Sequence, residues 1–140
     1  MYINSSKRFM IVDNNLMSLM LFKKLFGQYF EAVDTENSYS EMIARLVSGH
    51  KPDIILADLD LSRVSGLELL KAIKQNKALQ HIPVILMSVC FTERVVAFAM
   101  QAGASACINK PLSTMDYTAF CENVISLIGE ESKENVLKAS

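Results

Sequence analysis

The sequence predicts an α/β protein, a five-stranded parallel sheet doubly wound by helices. Three observations predict it. Four short apolar runs, residues 9–12, 54–57, 84–87 and 106–108, show no period-two alternation, and such runs fit strands buried on both faces. Segments with apolar residues at helical spacing lie between and after them, and strand–helix alternation implies parallel strands joined by helical crossovers. A length of 140 residues, 51% of them hydrophobic, is enough for one compact domain with a real core.

The elements follow in order. Phe9, Met10, Ile11 and Val12 form the first strand. Asn15 is placed to cap a helix through Phe26, with Gly27 as its stop. A weaker second strand covers residues 31–35, with β-branched Val33 and Thr35. A helix over residues 38–48 carries Met42, Ile43, Leu46 and Val47 on one stripe and ends at Gly49. Ile54, Ile55, Leu56 and Ala57 form the third strand. The helix after it covers residues 66–76, with Leu67, Leu70 and Ile73 inward. Val84, Ile85, Leu86 and Met87 form the fourth strand. Thr92 caps a helix through Ala102, closed by Gly103. Ala106, Cys107 and Ile108 form the fifth strand. A last helix starts at Thr114 and aligns Tyr117, Phe120, Cys121, Val124, Ile125 and Ile128. The domain is expected over residues 7–128, with 129–140 a tail or frayed helix end.

Composition excludes several classes. A formal net charge of -1 gives no nucleic-acid footprint and no attraction to an anionic membrane. Residues 1–8 are polar, and the apolar run behind them is too short for a signal peptide or a membrane span. A cytoplasmic protein is expected. Cys90, Cys107 and Cys121 form no CxxC pair, and His50 and His81 stand alone, so no zinc site is expected. The thiols read as small apolar filler in a reducing compartment.

In open α/β sheets, ligands bind beyond the carboxyl ends of the strands. The first strand ends in Asp13-Asn14-Asn15, the third in Asp58, the fourth in Ser88 and the fifth in Asn109-Lys110-Pro111. A carboxylate can attack phosphorus and form an aspartyl phosphate. The anionic phosphoryl group then needs a cation and a metal to neutralise it. Mg²⁺ takes oxygen ligands, typically one or two carboxylates with phosphate oxygens and waters. Asp13 and Asp58 supply carboxylates, Lys110 an ammonium and Ser88 a hydroxyl.

An ordered set of short motifs now stands at strand-to-strand spacing. It comprises Val12-Asp13-Asn14, Pro52-Asp53 with the third strand through Asp58, and Gly66-Leu67-Glu68-Leu69-Leu70. Pro83 with the fourth strand through Ser88, Gly103-Ala104 and Lys110-Pro111 complete it. Across residues 7–128 the chain resembles the response-regulator receiver domains of two-component signalling. The resemblance implies a flavodoxin-like fold with strand order 2-1-3-4-5. It implies that Asp58 is the phosphoacceptor, Ser88 the switch hydroxyl and Lys110 the phosphoryl contact. Asp13, Asn14, Asp58 and the backbone carbonyl of Asp60 would hold Mg²⁺, and the Lys110–Pro111 bond would be cis. A histidine kinase or phosphotransfer protein would be the phosphodonor. A protein effector would dock on the face of the fourth helix, fifth strand and fifth helix, and the protein would be a monomer or weak homodimer. It would be no enzyme beyond self-phosphorylation from small donors and self-dephosphorylation.

Several residues depart from the family. Asn14 stands where a second acid is usual, so weakened Mg²⁺ binding is expected; the lost attraction is at most about 4 kcal/mol at an effective dielectric near 20. The Asp60 side chain either compensates or faces water as a loop carboxylate. Ser62 and Ser65 replace Pro and Asp and are expected to loosen the loop after Asp58. Val89, where Ala or Gly is usual, is expected to narrow access to the site. Cys107 replaces the family's switch aromatic, which leaves simple packing as its alternative role. The fourth helix, with Val95, Val96, Phe98 and Met100, is apolar around much of its girth. It supplies either core residues or a docking patch. Read as a chain of one domain, the protein is expected to act by docking, with phosphorylation biasing a two-state equilibrium.

Two rival functions stay open. One is a degenerate receiver that serves as a phosphorylation-independent interaction module, favoured by Asn14, Val89 and Cys107. The other is a haloacid-dehalogenase-like phosphatase, through Asp58-Leu59-Asp60. That rival lacks a second acidic cluster on a later strand, since only Asp116 and Glu122 follow Lys110 within the domain. Flavin binding is weaker still, because Asp13-Asn14-Asn15 would repel a phosphate.

Overall fold

The computed structural model describes residues 5–61 and 64–139. The chain through Lys110 forms one compact unit, and Pro111 onward forms a second.

In the first unit five parallel strands run in the order β2-β1-β3-β4-β5. They are β1 (Ser5–Val12), β2 (Phe30–Glu36), β3 (Ile54–Asp58), β4 (Val84–Ser88) and β5 (Ala106–Asn109). Helices α1 (Leu16–Phe26), α2 (Tyr39–Val47), α3 (Gly66–Gln75) and α4 (Glu93–Gln101) connect them. With α5 (Tyr117–Ala139) in the second unit, the architecture is the flavodoxin-like one, five strands and five helices.

Alternation along the strands splits the core into two layers. Met10, Val12, Ile55, Ala57, Val84 and Leu86 pack with Met42 and Leu46 of α2, with Leu69, Leu70 and Ile73 of α3, and with Ala99 of α4. On β1, Phe9 alternates to the other face. It stacks on Phe26 of α1 with ring centroids 4.5 Å apart, and meets Phe30 at 4.9 Å.

Asn15 and Thr92 cap the helices the sequence assigns them, and Ser38, expected as the first helical residue, is the cap of α2. Asn15 Oδ1 accepts from the Ser18 N–H, Ser38 Oγ from Glu41 and Thr92 Oγ1 from Val95. Gly49 and Gly103 end their helices at φ of 103° and 106°, the left-handed backbone that favours glycine. Gly27 stays right-handed at φ −62°.

Two edges differ from expectation. β1 starts at Ser5, which pairs with Phe30 across a register shift between Ser5 and Arg8. The Arg8 N–H donates to Asp53 Oδ2 at 2.7 Å, and the Arg8 guanidinium pairs with Asp34. In turn Arg45 joins Asp34 to Glu36. In the second unit, Ser113 caps a 3₁₀ turn over Thr114–Asp116, so α5 begins at Tyr117 rather than Thr114. Its buried positions are Tyr117, Phe120, Cys121 and Val124. α5 also takes in residues 129–139, the stretch expected as a tail or helix end.

Candidate functional site

Register brings the polar strand ends level. Val12 pairs with Ala57, Asp58 with Met87 and Ser88 with Asn109. Each residue just past or at these positions therefore emerges at the same edge of the sheet. Backbone bonds extend the match, since Leu59 N–H donates to the Met87 carbonyl at 2.8 Å and Lys110 N–H to the Ser88 carbonyl at 2.7 Å. Asp13, Asp58 and Ser88 are the functional polar side chains of the sequence reading that end up buried.

Lys110 joins two of them. Its Nζ lies 2.6 Å from Asp13 Oδ2 and 2.9 Å from Asp58 Oδ2. The bond to Asp58 is a directed hydrogen bond. The contact to Asp13 is a short ion pair, and Lys110 is the one group that meets the buried Asp13 Oδ2 among the described residues. The other carboxylate oxygens are held by backbone: Asp13 Oδ1 accepts from Asn15 N–H at 2.9 Å and Asp58 Oδ1 from Asp60 N–H at 2.8 Å.

One ammonium shared between two carboxylates sets the electrostatics. Burial raises the Asp58 pKa above the ordinary value; the Asp60 N–H and Lys110 pull it down, and the like charge of Asp13 pushes it up again. Burial works against the Lys110 ammonium, but Asp13 and Asp58 outweigh it and leave its pKa raised. Lys110 is thus charged at neutral pH.

The donor set fits a hard divalent cation. Asp13 Oδ2 keeps a lone pair beyond its Lys110 contact, the Asp58 carboxylate shares the same ammonium, and both are oxygen ligands. The described residues hold no group of three or more acidic, histidine or cysteine ligands. A cation here would therefore keep several waters, as Mg²⁺ readily does. Asn14 lies exposed at the rim.

Ser88 is only 2% exposed, yet its hydroxyl points along the loops rather than at Lys110. Ser88 Oγ lies 3.4 Å from Asp60 Oδ2 and 3.3 Å from the Cys90 carbonyl oxygen, and accepts from Cys90 N–H at 3.3 Å. Asp60 is exposed, as the loop-carboxylate alternative expects, and its Oδ2 in addition meets Ser88, a contact that neither alternative covered. No sequence signal marks it, because the contact joins a loop residue to the end of β4, 28 residues away.

The loop after Asp58 is tied at both ends. Asp60 bridges Ser65, Gly66 N–H donates to the Leu59 carbonyl at 2.7 Å, and Ser65 Oγ caps α3. Ser65 thus caps the helix that follows the loop; Ser62 lies outside the described residues. A Cβ on Gly66 would stand 2.5 Å from the Asp58 carbonyl oxygen, so only glycine fits there. The expected cis bond at Lys110–Pro111 is corrected: no described peptide bond is cis. A trans X–Pro bond is favoured by about 0.5–1 kcal/mol, and Lys110 Nζ reaches both carboxylates with it.

Farther out, Val89 is 56% exposed. Cys107 is half-buried against the α2–α4 layer, which is the packing role, and burial raises its thiol pKa. Phe98 and Met100 of α4 are exposed, with the Arg94 guanidinium 5.9 Å from the Phe98 ring centroid. Phe98 is therefore a surface residue, not core. No described helix is long and apolar enough to cross a membrane.

Comparison with known proteins agrees with this geometry. The sequence profile of the response regulator receiver domain matches residues 9–121. The polar-differentiation response regulator DivK of Brucella anthropi is 36% identical over 133 residues, covering 89% of this chain and 98% of that protein. A CheY-like response regulator receiver domain protein from Methanospirillum hungatei superposes with a TM-score of 0.74 at 26% identity, covering 93% of this chain and 99% of its own. The Mn²⁺-bound response regulator Rcp1 shares the fold, with a TM-score of 0.77 at 22% identity over 86% of this chain and 92% of that one.

Proposed function

Because the chain belongs to the response-regulator receiver-domain family, we propose that it is a phosphoacceptor switch in which Asp58 takes a phosphoryl group from a histidine donor. Receiver domains are signalling phosphoacceptors rather than enzymes. The observation that carries the reading is the Lys110 ammonium, held between Asp13 Oδ2 and Asp58 Oδ2 at the sheet's carboxyl edge. That placement puts a nucleophilic carboxylate, a fixed cation and a metal-ligating carboxylate around one point.

The residues divide the work. An Asp58 oxygen forms the O–P bond as the donor's N–P bond breaks. Lys110 neutralises charge on the incoming group, and its raised pKa keeps it protonated for that task. The Asp60 N–H fixes the carboxylate's orientation through Asp58 Oδ1. Asp13 and Asp58, with the Asp60 backbone carbonyl and the Asn14 amide, would hold Mg²⁺, which supplies neutralisation of the phosphoryl oxygens. Ser88 is the hydroxyl that turns toward the phosphoryl group. The exposed Phe98 and Met100 of α4 form the docking patch for a protein effector.

Incubation with acetyl phosphate, with and without Mg²⁺, read by intact mass beside Asp58→Asn, tests this. A single Mg²⁺-dependent phosphoryl adduct absent from the variant is expected. The specific observation favouring the second reading, a phosphorylation-independent interaction module, is Asn14 at the metal rim. Failure of both acetyl phosphate and a phosphorylated histidine donor to modify Asp58 would replace the first reading with it.

A further inference from the structure

We propose that the Asp60 carboxylate is a latch on Ser88: it holds the hydroxyl in the resting protein and must release it before Ser88 can turn to a phosphoryl group on Asp58. The latch rests on Asp58 being the phosphoacceptor and adds the element that opposes switching.

The geometry of one hydroxyl carries it. Ser88 Oγ has a single proton and two acceptors in reach, Asp60 Oδ2 at 3.4 Å and the Cys90 carbonyl oxygen at 3.3 Å. The one proton can serve only one of them at a time. The charged acceptor is the stronger of the two, since charge-assisted hydrogen bonds are about twice as strong as neutral ones. Ser88 is 2% exposed while Asp60 stands at the solvent, so the hydroxyl is enclosed and the carboxylate is the partner free to move away.

Asp60 is also fastened to the acceptor itself. Its N–H donates to Asp58 Oδ1 at 2.8 Å, while its side chain reaches Ser88. The bridge to Ser65 anchors the loop that carries it. One residue therefore touches both partners of the switch, Asp58 by backbone and Ser88 by side chain.

Phosphorylation opposes this arrangement electrostatically. A phosphoryl group brings a charge of about −1.5 to −2 to Asp58, one backbone hydrogen bond from Asp60. Its oxygens then compete with the Asp60 carboxylate for the Ser88 proton and repel that carboxylate. Latch release and phosphoryl binding become the two sides of one equilibrium, whose bias sets how much protein switches at a given phosphoryl occupancy.

The test uses the full chain and three variants, Asp60→Ala, Asp60→Asn and Ser88→Ala. Asp60→Ala leaves the backbone N–H and carbonyl of residue 60 in place. First, NMR of the resting protein reads the Ser88 rotamer from its Hα–Hβ couplings. A single rotamer is expected in the unmodified chain, averaging in Asp60→Ala, and intermediate behaviour in Asp60→Asn. Second, the affinity for beryllofluoride with Mg²⁺, a mimic of the acyl phosphate, is read by ¹⁹F NMR. Asp60→Ala should bind it at least threefold more tightly, and most of that gain should vanish in the Ser88→Ala background. An unchanged Ser88 rotamer in Asp60→Ala overturns the latch. A gain that survives Ser88→Ala intact also overturns it, because Asp60 then acts by charge alone. Absence of beryllofluoride binding by every form would overturn the phosphoacceptor reading instead, and the Ser88 rotamer would still decide the latch.

Discussion

The Lys110 ammonium stands 2.6 Å from the Asp13 carboxylate, and the two side chains are 9% and 0% exposed. With Asp58 on its other side, Lys110 is the counter-ion for two buried anions. Removing one partner of a buried ion pair costs about 3–5 kcal/mol, because the remaining charge is left uncompensated. Lys110→Met is therefore expected to lose stability of that order in urea unfolding. Millimolar Mg²⁺ should restore part of the loss, since a cation that binds only the folded state stabilises it. A loss below about 1 kcal/mol, the level of an exposed pair, would show that the pair is no more than a surface contact.

Asp58 predicts a pH dependence of definite sign. Its folded pKa is raised by burial, with Asp13 adding to the effect. Between the ordinary value and the raised one, the folded protein holds a proton that the unfolded chain releases. The stability Asp58 contributes is thus present below the ordinary value and is lost as pH rises through the folded one. Asp58→Asn removes this loss. In urea unfolding, the stability of Asp58→Asn relative to the unmodified chain should grow as pH rises from 4 toward 7. A difference that shrinks over that range would reverse the assigned direction.

Gly66 predicts a steric failure beside the acceptor. A Cβ there would meet the Asp58 carbonyl oxygen at 2.5 Å and Leu59 Cα at 2.9 Å, both backbone atoms. Neither can move without displacing β3 or the loop. Gly66→Ala is expected to cost about 1–3 kcal/mol, the usual range for overpacking. It should also slow acetyl phosphate labelling of Asp58. Gly49→Ala, at an open position, provides the contrast, with backbone strain but no clash.

Much of this was legible in the chain. Apolar runs without alternation marked β1, β3 and β4, because strands buried on both faces need no polar face; the run at β5 also marked a strand, but an edge strand that is only half-buried. Asn15 and Thr92 announced their helices, since capping is local chemistry. The strand-end rule singled out Asp13, Asp58, Ser88 and Lys110 before any contact was known. What stayed hidden depends on distant pairing. The Ser5–Phe30 pairing that lengthens β1, the Arg8–Asp34–Arg45–Glu36 contacts and the Ser88–Asp60 contact join residues far apart in sequence. The exposure of Phe98 was undecidable from spacing, because α4 is apolar on several sides and buries only Ala99 fully.

The cysteines predict an order of reactivity. Cys90 is exposed, Cys107 is half-buried and Cys121 is buried. Burial, with Glu122 nearby, pushes the Cys121 thiol up to about 12. At pH 8 only about one Cys121 in ten thousand is then the reactive thiolate. Iodoacetamide at pH 8 should therefore label native protein first at Cys90 and leave Cys121 unmodified until denaturant is added. Peptide mapping of the first adduct decides it, and early labelling of Cys121 would mean that its helix opens readily.

Asn14 predicts a gain. It lies exposed at the rim, two residues before the helix that follows Asp13. Two unit charges at contact attract by about 4 kcal/mol at an effective dielectric near 20. An exposed carboxylate captures only a part of this. About 1.4 kcal/mol already corresponds to a tenfold change in affinity, so Asn14→Asp is expected to tighten Mg²⁺ binding by about tenfold in calorimetry. The gain should fall as ionic strength rises, because screening acts most strongly on exposed charge. Asn14→Ala separates charge from ligation: it should bind Mg²⁺ more weakly than the unmodified chain if the amide oxygen contributes. Equal affinities for all three proteins would place residue 14 outside the metal's reach and leave Asp13 and Asp58 as the side-chain ligands.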